Sequence, residues 1–245
     1  MGNIEQYAFG IDISRYQCSG DGKVKVNFDI IKSHTPKVTF IFARNGIASY
    51  YTDTCFQYFW GEMKRIGVCR GAYHVLHFDE LAQPQVDRLF AGTTDWDFEH
   101  DRIALDCEVA GSATKSKITD ITVNAVNIIK ARTGRYPIVY SRAGWINQFV
   151  DVSQLPEVDW WLAHYLKALP YPQFTPEKNP PPALPKGVTK WLIHQTCEKG
   201  NGAEYGVASY YVDLDRWNGT SDDILAYFGL IGHPEPEPTL EEKVD

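Results

Sequence analysis

Residues 103–108 read Ile103-Ala104-Leu105-Asp106-Cys107-Glu108, an apolar run that closes on two carboxylates separated by one small residue. Successive side chains of a strand point to opposite faces, so positions 106 and 108 share a face about 7 Å apart and Cys107 points away. Leu105 before the pair and Val109 after it set both acids in an apolar strand, where unpaired carboxylates are costly to hold. An apolar strand with acids at its C-terminal end fits a parallel barrel, whose chemistry gathers at the C-terminal ends of the strands.

On the N-terminal side, further short β-rich runs stand at 9–13 (FGIDI), 38–43 (VTFIFA) and 68–74 (VCRGAYH). Helical patterns separate them: one starts near Asn27, one is expected to be capped by Thr52 and to end at Gly67, and one covers 82–91. On the C-terminal side a helix over 118–132, closed by Gly134, leads to the strand 138–141 (IVYS). The alternation then fails, because 160–165, 191–195 and 211–215 read as strands with little helix between them. The order is that of an α/β, TIM-like barrel with five β/α units followed by three β-strands. The 245 residues are close to the roughly 250 typical of one such barrel. A single catalytic domain is expected over 1–231, with a surface loop through the Pro-rich stretch 169–186 and a Pro/Glu-rich tail or linker at 232–245.

Composition narrows the function. With 31 acidic against 24 basic residues the net charge is -7, which repels polyphosphate and argues against nucleic acid as partner. No apolar stretch approaches the roughly 20 residues that span a bilayer, and the first eight residues (MGNIEQYA) carry no export signal. Five scattered cysteines, odd in number and without a CxxC pair, suggest neither a zinc knuckle nor a disulfide framework. Aromatic residues make up 13% of the chain, which permits stacking on sugar rings.

Acids also end other expected strands, at Asp12 and at Asp213 or Asp215, and a barrel would bring them to the mouth that holds Asp106 and Glu108. Two interacting carboxyls push their pKa values apart, one up and one down, giving a proton donor and an anion near neutral pH. Glycoside cleavage needs such a pair.

Together these stretches resemble glycoside hydrolase family 25, the Chalaropsis-type lysozymes that cut peptidoglycan between N-acetylmuramic acid and N-acetylglucosamine. The resemblance runs from about Phe9 to Gly219 and rests on Gly10-Ile11-Asp12-Ile13-Ser14 with Gln17, Phe42-Ala43-Arg44, Gly71-Ala72-Tyr73-His74 and Leu105-Asp106-Cys107-Glu108. It continues through Tyr140-Ser141, Trp161-Leu162-Ala163-His164-Tyr165, Trp191-Leu192-Ile193-His194-Gln195 and Val212-Asp213-Leu214-Asp215. It implies a peptidoglycan muramidase with Glu108 as general acid. Asp106 is then the partner that holds the substrate's N-acetyl group or serves as counter-charge, and Asp12 and Asp213 tune the acid and bind substrate. Asp215 fits the last role less well, because the family usually carries an uncharged polar residue there. Tyr73, Tyr140 and Trp161 match positions lining the sugar groove. His194, Thr196 and Val75-Leu76-His77 depart from the aromatics usual in the family, which bears on the sugar subsites.

Arg44, His74, Tyr165 and Gln195 complete the expected substrate-binding set. Arg44 either takes a carboxylate such as the muramyl lactyl group or pairs with an acid of the protein. No cofactor and no metal is expected. The expected partner is bacterial peptidoglycan, acted on by a monomer with neither nucleic acid binding nor membrane insertion. A lysin made in a bacterial cytoplasm, phage endolysin or virion-associated, fits, with a wall-binding or assembly module missing after the tail. Two readings compete: a catalytically silent wall-binding module, and a metal-dependent barrel hydrolase of amide or acetyl groups using His74, His77 and Asp79.

Overall fold

A computed structural model of the chain describes residues 7–19, 22–165 and 180–232. Eight strands close a barrel: β1 (Phe9–Ile13), β2 (Val38–Ile47), β4 (Cys69–Val75), β5 (Arg102–Asp106), β6 (Ile138–Ser141), β7 (Asp159–Ala163), β8 (Ile193–Asn201) and β9 (Tyr211–Trp217). β1, β2 and β4 through β8 run parallel, and β9 enters antiparallel between β8 and β1 to complete the ring. A two-residue strand β3 (Tyr51–Thr52) pairs with the end of β2 outside the ring. Helices α1 (Phe28–Ser33), α2 (Phe56–Ile66), α3 (Ala82–Ala91), α4 (Lys115–Thr133) and α5 (Ala143–Phe149) follow the first five barrel strands, and α6 (Ser221–Tyr227) follows β9. The α/β barrel of five β/α units and three further strands is as the sequence order implies.

Local chemistry sets the element ends. The Asn27 side chain accepts the Asp29 amide and caps α1, and the Thr114 side chain does the same for α4. Gly67 and Gly134 end α2 and α4 at φ 75° and 77°, the left-handed conformation that a side chain disfavours. The expected Thr52 cap is not formed: Thr52 lies in β3, and α2 begins after Cys55 with no side-chain cap. Strands β2 and β8 run several residues beyond their apolar runs, because ladder pairing with β4 and β9 continues after the hydrophobic pattern ends.

Three apolar layers result. One lies between α1, α2 and the β1–β2 side of the barrel, with Ile11, Phe56, Phe59, Trp60 and Met63. A second lies under α3 to α5, with Leu105, Cys107, Val139 and Trp160 facing outward from their strands. The third fills the barrel, where Phe40, Phe42, Trp161 and Trp217 meet Ile224 and Phe228 of the α6 region. Two glycines make room for it. A Cβ on Gly10 would stand 2.5 Å from the Phe40 ring, and one on Gly71 would stand 2.2 Å from the Phe42 ring. Of the expected Pro-rich loop, residues 169–179 lie outside the described residues, as does the tail from 233.

Candidate active site

The barrel interior changes character along its axis, from rings at the α6 end to acids at the mouth. Asp12 of β1, Asp106 of β5 and Asp213 of β9 open onto one cavity of about 230 Å³ together with Glu108. Tyr73, Tyr140, Trp161, Tyr165 and Gln195 line the same cavity. Seven of the nine residues come from barrel strands, and Glu108 and Tyr165 stand two residues beyond the ends of β5 and β7, as the convergence of strand ends requires.

One local expectation is corrected. β5 ends at Asp106, and Glu108 stands beyond it, exposed, with Val109 45% exposed instead of buried in a strand. The chain stays strand-like long enough for the Cys107 amide to donate to the Tyr140 carbonyl at 3.0 Å, and the Ser141 hydroxyl donates to the Cys107 carbonyl at 2.6 Å. Cys107 therefore points outward, fully buried, while Asp106 and Glu108 both reach the cavity. Asp106 is the deeper acid, and its Oδ1 is buried without a hydrogen-bond partner.

A hydrogen-bonded hub joins the opposite wall. The Gln195 amide donates to Asp12 Oδ2 at 2.6 Å, and its Oε1 accepts the Tyr140 hydroxyl at 2.8 Å and the Tyr165 hydroxyl at 3.1 Å. Below it the Trp161 indole donates to Asp215 Oδ1 at 2.8 Å, while Asp215 Oδ2 is buried and unpartnered. Asp215 does not line the cavity. It stands behind it, fully buried, as a further acid of the cluster.

Burial dominates the electrostatics. It pushes the Asp12, Asp106 and Asp215 carboxyls well above the usual range, with neighbouring acids adding to the effect. Asp213, half-buried, is pushed up to about 9 by burial and then by Asp12 and Glu198. Glu108 is raised by burial, lowered by the Arg142 guanidinium and raised by Glu198. The expected split of the Asp106–Glu108 pair, one pKa up and one down, is thus replaced by a rise in both, because desolvation outweighs the two guanidinium groups nearby, Arg44 beside Asp106 and Arg142 beside Glu108.

Two of the expected substrate-binding residues lie elsewhere. His74 is fully buried between strands, its Nε2 2.8 Å from the Ala48 carbonyl oxygen, and burial lowers its pKa to about 4, so it is neutral and away from the cavity. Arg44 points into the barrel but is held by Asp53, its Nε donating at 3.0 Å, which is the protein-acid pairing of the two alternatives. Two cavity residues escaped the sequence reading, Arg142 and Glu198. Arg142 directly follows β6, so the strand-end rule could have found it. Glu198 follows an irregularity in β8 between Gln195 and Cys197, which no spacing rule anticipates. His194 and Thr196 are buried and bonded to backbone carbonyls of His164 and Leu214, outside the cavity. Among the described residues no group of three or more His, Cys, Asp or Glu is arranged to hold a metal ion. Nor is any helix among them long and apolar enough to cross a membrane.

A family model described as glycosyl hydrolases family 25 matches residues 11–205, which includes the β1, β4, β5, β6, β7 and β8 contributions to the cavity. The chain belongs to that family. As a family 25 protein it is a glycoside hydrolase, and its barrel resembles a bacterial lysozyme from Streptomyces coelicolor with a TM-score of 0.74 at 22% identity, covering 90% of this chain and 96% of that one. In sequence it is 27% identical over 218 residues to the uncharacterized protein YegX of Escherichia coli K12, covering 89% of this chain and 72% of that protein. Against YegX of E. coli O6:H1 the matched region spans 57% of the relative's length. Lysozyme M1 of Streptomyces globisporus is 24% identical over 232 residues, covering 89% of this chain and 70% of that protein.

Proposed function

We propose that this family 25 hydrolase is a muramidase that cleaves the β-1,4 bond between N-acetylmuramic acid and N-acetylglucosamine in bacterial peptidoglycan. The observation that carries the reading is the pairing of Asp106 and Glu108 on one cavity, the deeper acid with a free acceptor oxygen and the outer acid with a raised pKa. Glu108, at the mouth, is the general acid: partial desolvation of its carboxyl by the cavity walls raises its pKa, the direction that favours the proton it gives to the leaving oxygen. Asp106 Oδ1 accepts the N–H of the substrate's acetamido group and orients the acetamido oxygen toward the anomeric carbon. Burial shifts Asp12 and Asp213 toward the neutral form and so limits the negative charge of the cluster, while the half-exposed Tyr73 and Tyr165 offer ring edges and hydroxyls to the sugars. The name of Lysozyme M1 supports the substrate. Five buried cysteines, none in a disulfide among the described residues, suit a lysin made in a reducing cytoplasm and released to the wall, as in phage lysis.

Clearing of peptidoglycan suspensions tests the reading. Wild type clears them, and Glu108→Gln slows clearing by about a hundredfold or more. Equal clearing by both overturns the role of Glu108. Mass analysis of the products after reduction should show a muramitol end, and a glucosaminitol end would overturn the bond assignment.

A further inference from the structure

Beside the acid cavity, on the same face of the barrel, a second cleft of about 550 Å³ opens between the turn after β1 and the start of α2. Its walls carry Arg15, Tyr16, Lys25 and Tyr58, and the buried thiols Cys18 and Cys55 lie at its floor. The chemistry is opposite in sign to that of the first cavity. Five carboxyls and one guanidinium line the acid cavity, whereas two cations and no carboxylate among the described residues line this cleft. On a chain of net charge -7 that concentration of positive charge is local.

Both cations are positioned by tyrosines, and Arg15 Nη2 donates to the Tyr16 hydroxyl at 3.5 Å. The Arg15 guanidinium stands 4.9 Å from the Tyr16 ring centre and 5.7 Å from that of Tyr51, and Lys25 Nζ stands 4.5 Å over the Tyr58 ring. Neither joins a salt bridge among the described residues. The Arg15 backbone amide donates to Asp53 Oδ2 at 3.0 Å, and the same oxygen accepts Arg44 Nε at 3.0 Å, so one buried carboxylate fastens the Arg15–Tyr16 turn to the barrel wall. The Arg44 guanidinium lies 5.0 Å from the Tyr16 ring centre, and its Nη2 is buried without a hydrogen-bond partner. Arg44 also stands beside Tyr73 in the parallel register of β2 and β4, and Tyr73 lines the acid cavity. Tyr16, Arg44 and Tyr73 thus form a bridge from one cavity to the other.

We infer that this cleft binds the carboxylate-bearing peptide arm of the polymer whose sugar chain is cut in the acid cavity. The inference rests on the muramidase reading. A muramyl residue carries its peptide on a branch that leaves the sugar ring. The acid cavity offers the carboxylates of that branch one guanidinium among five carboxyls, whereas an adjoining cleft with two cations and an exposed tyrosine face accepts them. A neutral glycan has no use for the two cations.

The test compares the full chain with Arg15→Gln, Lys25→Gln and the double variant on three substrates: wall glycan with its peptide arms, the same glycan stripped of arms by an amidase, and arm-bearing glycan whose carboxylates are converted to amides. Wild type should cleave the arm-bearing glycan with the highest kcat/KM, and the double variant should lose about tenfold there, mainly through KM. On stripped and amidated glycan the variants should match wild type, and the preference of wild type should shrink as salt rises. Equal losses on all three substrates, or no loss on any, overturn the second site and leave the muramidase reading standing. A wild type that cleaves none of the three overturns both.

Discussion

Asp12 and Asp213 face each other at one register position of the antiparallel β1–β9 pair, two carboxyls side by side on the inner face of the barrel. Asp215, two residues further along β9, stands opposite Gly10 and beside Gln195. The antiparallel strand of the ring therefore gathers three acids, with Gln195 donating to Asp12 and Trp161 donating to Asp215. Burial without a cation is satisfied by retaining protons, which is the direction in which all three are shifted.

Stability should follow from that cluster. Asp215 has a folded pKa raised above the unfolded value of about 3.9, so the folded state keeps a proton that the unfolded state has lost. Its contribution to stability is full below that unfolded value and declines as pH rises toward the folded one. Asp215→Asn cannot ionise and still offers an oxygen to the Trp161 indole. The variant should gain melting temperature over wild type at pH 8, with the gain shrinking toward pH 4. A difference that stays constant across pH would sink the idea.

The alkaline limb of activity should report on Glu108, which must hold its proton to act. The rate falls as pH rises through the pKa of this acid. Arg142 lowers that pKa and Glu198 raises it, so Arg142→Gln should move the limb to higher pH and Glu198→Gln to lower pH. Both side chains are exposed, and both displacements should shrink in high salt. Rate profiles of the two variants moving in the same direction would contradict the assignment.

Gln195 ties three cavity groups with one amide. Replacing it by leucine leaves Asp12, Tyr140 and Tyr165 without that partner in a buried setting. The expected cost is about 2 kcal/mol in urea unfolding, together with a fall in kcat, since the acid cluster loses its fixed donor. Unchanged unfolding would show that water replaces the amide without loss.

Gly71→Ala should destabilise the barrel by about 1–3 kcal/mol, because the new methyl would enter the Phe42 ring. Phe42→Leu in the same chain should return part of that loss. A double-mutant cycle measures the coupling, and strict additivity would show that the two positions do not compete for one space.

Much of this protein was legible in its sequence because the information is local or periodic. Alternating apolar runs, the glycine stops at Gly67 and Gly134 and the cap at Asn27 determine which segments become strands and helices, and their order determines a barrel. Parallel strands then carry Asp12 and Asp106 to one mouth, whatever the loops do between them. Tertiary structure alone decided the rest. Only the closed barrel shows that His74 is turned to the Ala48 carbonyl and that Arg44 is claimed by Asp53, a partner supplied after the β2–β3 hairpin. Only the irregular β8 brings Glu198 to the cavity. And the charge on Asp106 and Glu108 depends on how much solvent the assembled walls exclude, a property of the whole barrel that no spacing of two acids along a chain contains.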